Sequence, residues 1–319
     1  MSDNALASEE QQRALPWSVW LAMTRPGFLV ITLVACLLGI AMAALCGHGP
    51  DLIKATATVV LALLAHAAAN VFNDFHDALS GADALNTQGI SPFTGGARLI
   101  QNQRVSMKET RELALAIVIF LLPSGLLLAM HSGPGVLGLG LVGLLLAWAY
   151  SSPPLRLMAQ GWGEITVGMV WMLVVVGADY VQRGAFFVIP VAVAFSYGLL
   201  IANILLINGF PDAPADEQVN KRTAVVCLGP QTAAYVYALV ALLAHAWVVL
   251  GVHWFIHPGV ALWGLSSLPL SLWAAGLLIK YAHQPQRLRP AIVLTIAAAV
   301  VHGLSMAMGF LLLSLGFFI

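Results

Sequence analysis

The sequence predicts an all-α polytopic membrane protein, with nine transmembrane helices and a cytoplasmic N-terminus. Of its 319 residues, 60% are hydrophobic and 9% are charged, whereas about a quarter of the residues of a typical soluble domain are charged. The apolar residues form long runs, and the basic residues fall mainly in alternate loops between those runs. The net charge is zero, which argues against a nucleic-acid-binding protein.

Nine apolar segments are long enough to cross a bilayer as helices, which takes about 20 residues each. The segments are 27–46, 52–72, 113–131, 135–150, 165–181, 185–207, 232–252, 259–280 and 290–314. Several connections are short and contain Gly, Pro or His, as expected for tight turns. The polar residues 1–16 lack the apolar stretch of a secretory signal peptide. We expect them to form a cytoplasmic tail before a single nine-helix domain at 17–319.

The basic residues determine the predicted orientation. With nine helices, the N-terminus and the loops after even-numbered helices share one side, which receives 12 of the 14 Lys and Arg residues. The positive-inside rule makes that side cytoplasmic. We therefore expect an integral protein of the cytoplasmic membrane whose two longest loops, about 80–110 and 208–231, face the cytosol.

A polar segment closes the second apolar run, at a position where polar side chains are costly. Its amide and carboxylate side chains are Asn70, Asn73, Asp74 and Asp77. Their spacing of i, i+3, i+4 and i+7 places all four on one face of a helix. The sequence therefore predicts a row of oxygen ligands at the cytoplasmic end of this helix.

A second acidic segment follows the sixth apolar run and has the same character. Asn208, Asp212 and Asp216 are spaced i, i+4 and i+8. Pro211 and Pro214 flank Asp212, so we expect the helix to kink or end there, because proline removes a helical hydrogen bond. The predicted orientation brings both acidic segments to the same face of the membrane.

Clustered carboxylates repel one another unless a cation neutralises them. Carboxylate and amide oxygens suit Mg²⁺, which usually keeps coordination positions for water and substrate phosphates. Arg98, Lys221 and Arg222 lie in the neighbouring loops and would neutralise the remaining charge of a diphosphate. An apolar bundle suits a lipid tail. The pattern therefore indicates an isoprenoid diphosphate, whose metal-assisted ionisation gives an allylic cation.

Five stretches carry a family resemblance. Two are the polar segments, read as Asn73-Asp74-Phe75-His76-Asp77 with Asp83, and as Asn208 with Asp212 and Asp216. The other three are Arg25-Pro26, Tyr150-Ser-Ser-Pro-Pro-Leu-Arg156 and Asn220-Lys-Arg-Thr223. In these motifs and their order, the chain resembles the UbiA-type intramembrane aromatic prenyltransferases. It departs from them at Asp83, which follows Asp77 by six residues rather than four.

The resemblance implies nine helices around a central cavity, two Mg²⁺ ions and a role for each matching residue. One ion would be held by Asn70, Asn73, Asp74 and Asp77, and the other by Asn208, Asp212 and Asp216. The four aspartates would be the catalytic residues. Diphosphate contacts would come from Tyr150, Ser151, Arg156, Lys221 and Arg222, and Arg25 would lie near the acceptor pocket.

The expected activity is Mg²⁺-dependent transfer of a polyprenyl group to an aromatic acceptor. Ser91-Pro-Phe-Thr-Gly-Gly and Gly161-Trp-Gly-Glu164 resemble the branch that prenylates 1,4-dihydroxy-2-naphthoate in menaquinone biosynthesis. Prenylation of 4-hydroxybenzoate or of a tetrapyrrole remains an alternative. A cation-coupled secondary transporter is the alternative from another class, although such proteins typically place their sites near the middle of the membrane.

Overall fold

The computed structural model describes residues 15–317, and these fold into helices joined mostly by short loops. The α-helices are α1 (Trp17–Met23), α2 (Pro26–Leu45), α3 (Leu52–Ser80), α4 (Ala82–Leu85), α5 (Met107–Ser132), α6 (Gly135–Ser151), α7 (Gly163–Arg183), α8 (Val188–Gln218), α9 (Ala224–Leu228), α10 (Pro230–His253), α11 (Leu268–Tyr281) and α12 (Arg289–Ser314). Short 3₁₀ segments cover Leu157–Ala159, Gly259–Ser267 and Pro285–Arg287. Residues 1–14 of the predicted tail lie outside the described range.

Eight of the described helical segments are long and apolar enough to cross a membrane. They are α2, α3, α5, α7, α8, α10, α12 and the composite Gly259–Tyr281, in which a 3₁₀ segment leads into α11. The remaining predicted segment, 135–150, forms the shorter apolar helix α6 of 17 residues. The all-helical, integral-membrane class predicted from the sequence is therefore confirmed.

The largest apolar core lies where α2, α7, α8 and α12 pack together. Tyr197 of α8 is fully buried in this core, and its hydroxyl donates a hydrogen bond of 2.6 Å to the carbonyl of Ile31 in α2. A second core joins the C-terminal half of α8 to α10, α11 and α12. By contrast, α3 and α5 pack against each other with much of their apolar surface exposed, as suits contact with lipid.

The two helices that carry the acidic segments continue well beyond their apolar runs. Helix α3 runs about two turns further, to Ser80, and α8 about three turns further, to Gln218. Of the two expected outcomes, a kink or an end of α8 at its prolines, the end is therefore wrong. Pro211 and Pro214 lie inside the helix, and α4 and α9 pack against α8. As a result, Asn208, Asp212 and Asp216 retain the helical spacing.

Candidate active site

The first acidic segment meets the start of α2. Arg25 forms an ion pair with Asp74, and both side chains are largely buried. Arg25 precedes α2 in a left-handed conformation, with φ of 51°, which directs the chain into the helix at this point. One turn earlier in α3, the amide of Asn70 donates a hydrogen bond of 3.0 Å to the carbonyl of Thr24. These contacts fix the segment before α2 against the functional face of α3.

Lys221 joins the two acidic segments. Its Nζ lies 2.9 Å from Oδ1 of Asp77 and 3.4 Å from Oδ1 of Asp216. The amide of Asn73 donates to the other oxygen of Asp77 over 3.2 Å. Burial alone would lower the pKa of Lys221, but the carboxylates of Asp77 and Asp216 raise it above its ordinary value. Lys221 therefore remains a cation between the two helices.

The loop of residues 86–101, hereafter the strap loop, folds over both acidic segments. The amide of Asn86 donates to Oδ1 of Asp212 over 2.6 Å, and the backbone N–H of Gly95 faces the other oxygen of Asp212 at 3.4 Å. The backbone N–H of Ala97 lies 3.4 Å from Oδ2 of Asp74. Arg98 closes the loop by donating to the carbonyl of Asn86 over 2.7 Å. The strap loop thus positions one carboxylate from each segment.

Asn86 and Gly96 are site residues that our sequence analysis missed. Asn86 is only 3% exposed, yet it lies outside both helical motifs and follows no spacing pattern. Gly96 has φ of +70°, and its Cα lies against Asp83, Asp74 and Arg25. The paired glycines in Ser91-Pro-Phe-Thr-Gly-Gly are a signal for a tight backbone approach, but no pattern in the chain indicates which residues the loop approaches.

Asp83 belongs to the strap-loop contacts rather than to the helical row. Its carboxylate accepts a hydrogen bond of 3.2 Å from the amide of Gln101 and lies beside Gly96. Burial, followed by repulsion from the Asp77 carboxylate, raises the pKa of Asp83 to about 6. The side chain therefore orders the loop, in agreement with its departure from the family spacing.

We expect Gly96→Ala to lower kcat/KM for the expected prenyl transfer by at least about tenfold. A new Cβ would lie 2.8 Å from Oδ2 of Asp83 and 3.0 Å from Oδ1 of Asp74 and would displace these carboxylates. Gly47→Ala is the matched control, since Gly47 has a similar φ of +84° but no atom within 4 Å of its added Cβ. Both changes carry the backbone cost of about 1–2 kcal/mol. Steady-state kinetics and thermal unfolding of both variants would test this, and equal activities would contradict it.

The oxygen-rich face suits a hard divalent cation. The carbonyl oxygen Oδ1 of Asn208 is buried and has no hydrogen-bond partner among the described residues, one turn before the carboxylate of Asp212. An orphaned buried acceptor of this kind fits a cation ligand. Within residues 15–317, no three acidic, His or Cys side chains converge closely enough to hold a metal alone. Such a donor set suits Mg²⁺, which takes further ligands from water and phosphate.

The remaining predicted diphosphate ligands lie at the same end of the bundle but make fewer contacts with the acidic segments than Arg25 and Lys221 do. Tyr150 and Ser151 end α6, and Tyr150 interacts electrostatically with Lys221 and Arg25. Arg156 lies in the following loop, and Arg222 is exposed beside Lys221. Within the described part of the chain, neither arginine side chain forms an ion pair with the acidic segments. The structure therefore brings Arg25 and Lys221 to the carboxylates, but not Arg156 or Arg222.

The chain is similar to known proteins in both sequence and fold. The UbiA prenyltransferase family profile matches residues 29–298. The chain is 28% identical over 315 residues to a 1,4-dihydroxy-2-naphthoate octaprenyltransferase of Escherichia coli, covering 95% of this chain and 98% of that one. It is 32% identical over 174 residues to the bacteriochlorophyll synthase 33 kDa chain of Cereibacter sphaeroides, covering 51% and 55%. The solved UbiA homolog from Archaeoglobus fulgidus, bound to DMAPP and Mg²⁺, has a TM-score of 0.61 at 16% identity, covering 91% and 97%.

An apolar helical bundle with buried carboxylates and cations at one end is that of an integral membrane protein with a charged site. The family match spans most of the sequence and includes both acidic segments, and the chain belongs to the UbiA prenyltransferase family. The family resemblance predicted from the motifs is thereby confirmed. Membership in a transferase family favours an enzyme over the cation-coupled transporter.

Proposed function

We propose that the protein transfers a polyprenyl group from its diphosphate to an aromatic acceptor, 1,4-dihydroxy-2-naphthoate, in menaquinone biosynthesis. The observation that carries the proposal is the joining of the two acidic segments by Lys221, which contacts Asp77 and Asp216. A diphosphate placed there would meet carboxylate-bound metal and a buried cation together. The naphthoate octaprenyltransferase of Escherichia coli, aligned over nearly its whole length, supports the choice of acceptor.

Two Mg²⁺ ions would occupy the site, each held by one acidic segment. The ligands would be Asn70, Asn73, Asp74 and Asp77 for one ion, and Asn208, Asp212 and Asp216 for the other. Bound Mg²⁺ would neutralise the diphosphate and so ease its departure. The Mg²⁺ and DMAPP in the Archaeoglobus fulgidus homolog support this assignment.

The chain's own residues would orient the diphosphate and stabilise its charge. Lys221 and Arg25 would supply buried positive charge, with Tyr150, Ser151, Arg156 and Arg222 as further diphosphate contacts. The bond between the prenyl C1 and the diphosphate oxygen breaks, and the aromatic ring attacks C1 of the allylic cation. A base then removes the ring proton, or CO₂ leaves when the acceptor is the dihydroxynaphthoate. Asp77 and an oxygen of the released diphosphate are the two candidate bases.

The site would face the cytosol from the cytoplasmic membrane. We propose nine transmembrane helices in a single domain at 17–319, with a cytoplasmic N-terminus and a central cavity for the prenyl tail. Helix α6, with 17 residues, is about 26 Å long and approaches the roughly 30 Å hydrocarbon thickness. The placement of 12 of the 14 basic residues on the N-terminal side supports this orientation.

Two other acceptors remain within the same reaction class. One is 4-hydroxybenzoate, which needs the same diphosphate site and a smaller ring pocket. The other is a tetrapyrrole, supported by the Cereibacter sphaeroides relative over about half of the chain.

A membrane assay with a radiolabelled polyprenyl diphosphate tests the proposal. Purified membranes would receive either dihydroxynaphthoate or 4-hydroxybenzoate, with Mg²⁺ or with excess EDTA. We expect a Mg²⁺-dependent prenylated naphthalene product. Product only from 4-hydroxybenzoate would overturn the choice of acceptor. Solute movement across liposomes without donor consumption would support the transporter instead.

A further inference from the structure

A polar group lies deeper in the bundle on the same face of α3 as the first acidic segment. His66, Asn70 and Asp74 are spaced i, i+4 and i+8, so His66 lies one turn beyond Asn70 and about 12 Å along the axis from Asp74. Nδ1 of His66 is 2.8 Å from the hydroxyl of Thr32 in α2. Its ring meets that of Trp171 in α7 edge to face, with centroids 4.8 Å apart.

The contact between Thr32 and His66 favours one tautomer of the imidazole ring. Within the described chain, Nδ1 of His66 is the one acceptor that the Thr32 hydroxyl reaches. A hydroxyl that donates to Nδ1 leaves the ring proton on Nε2. His66 Nε2 has no hydrogen-bond partner among residues 15–317 and therefore presents an N–H donor.

Trp171 adds a second unsatisfied donor. Its indole is 9% exposed, and its Nε1–H has no acceptor among the described residues. A buried donor without a partner is costly, so this indole N–H, on a ring in contact with the His66 ring, calls for an acceptor from outside the chain. An apolar prenyl tail has no such atom.

The charge near His66 is positive, which suits an anionic ligand. Arg25 interacts electrostatically with His66 and forms the ion pair with Asp74. His66 retains accessible surface although Thr32 of α2 and Trp171 of α7 contact it. An anionic oxygen near this point would be stabilised by two N–H donors and by Arg25.

We infer that His66, Thr32 and Trp171 form the subsite for the carboxylate of an aromatic acceptor. The inference rests on the proposed aromatic prenyl transfer and assigns residues to its second substrate. The carboxylate accepts hydrogen bonds from His66 Nε2 and the Trp171 indole, while Thr32 fixes the His66 tautomer. Asp74 lies about two helical turns from His66 along α3, so a diphosphate held at the acidic segments would leave room for one carboxylate-bearing ring between the subsite and the prenyl C1.

Equilibrium binding in lipid nanodiscs tests the subsite without turnover. The probes are 1-hydroxy-2-naphthoate and 1-naphthol, which share a ring but differ in the carboxylate, and ring fluorescence reports their binding. We expect His66→Phe to raise Kd for the naphthoate about tenfold and to leave Kd for 1-naphthol unchanged. His66→Gln, which restores an N–H donor, should recover part of the loss. His131→Phe is the matched control, because His131 is exposed on α5.

Thr32→Val provides a second variant that leaves the histidine in place, and it should weaken naphthoate binding alone. Equal losses for both probes would overturn the inference, as would an unchanged naphthoate Kd in a folded His66→Phe protein. The transfer assay separates the two hypotheses. If the wild type prenylates dihydroxynaphthoate but His66 has no effect on binding, the subsite fails and the proposed function stands. If binding depends on His66 but no ring is prenylated, the binding subsite stands and the proposed function fails.

Discussion

Replacing Asp74 or Asp212 by Asn is expected to lower kcat/KM for prenyl transfer by at least about 100-fold, because in the proposed mechanism each change would remove a charge that holds the metal at the departing diphosphate. Asn is nearly isosteric and keeps one oxygen, so the packing of the two segments should survive. Asp212→Asn also retains an acceptor for Asn86. The measurement is product formation from labelled polyprenyl diphosphate over a Mg²⁺ titration, together with thermal unfolding to confirm the fold.

Asp51→Asn is the matched control for this experiment. Asp51 begins the same helix, α3, as its N-cap and accepts hydrogen bonds from the N–H groups of Ile53 and Lys54. Asn caps helices about as well as Asp, so this variant should retain wild-type activity. Near-normal turnover in both Asp74→Asn and Asp212→Asn would contradict the metal-site assignment for the two segments.

The helices and the acidic rows were predictable because they depend on local rules. An apolar run of about 20 residues specifies a membrane helix from its own composition, and the spacing of Asn70 and Asp74 is preserved wherever α3 remains helical. The helix ends were harder to predict. Polar residues continue α3 to Ser80 and α8 to Gln218, since neighbouring helices pack against these turns even where hydropathy and proline indicate an end.

The strap loop was not predictable because its contacts are made across the chain. Asn86 contacts Asp212 of α8, which lies 126 residues away in the sequence. Ala97 contacts Asp74, which belongs to α3. Each contact depends on the path of a loop with several positive-φ residues, which no periodicity encodes. In the same way, the pattern placed Lys221 near the second segment but did not reveal that it bridges to Asp77. The site therefore depends on tertiary contacts between two motifs, each of which could be predicted from its own local sequence.

Lys221→Met is expected to lower transfer by at least about 100-fold, because Lys221 is the buried cation shared by both segments and its loss leaves carboxylates unneutralised. The side chain is 12% exposed, and breaking a buried ion pair costs about 3–5 kcal/mol of folding free energy. The variant should therefore also unfold at a lower temperature. Lys108→Met, at an exposed lysine of α5 paired with Glu112, is the control and should change neither quantity appreciably.

The double variant Asp77→Asn with Lys221→Met separates folding from chemistry. It removes one positive and one negative charge, so the net charge of the site is preserved and much of the lost thermal stability should return. Activity should not return, because the proposed mechanism uses both the Lys221 cation at the diphosphate and the Asp77 carboxylate. Recovery of transfer together with stability would mean that Lys221 serves only to neutralise Asp77, and that the diphosphate takes its positive charge from elsewhere in the protein.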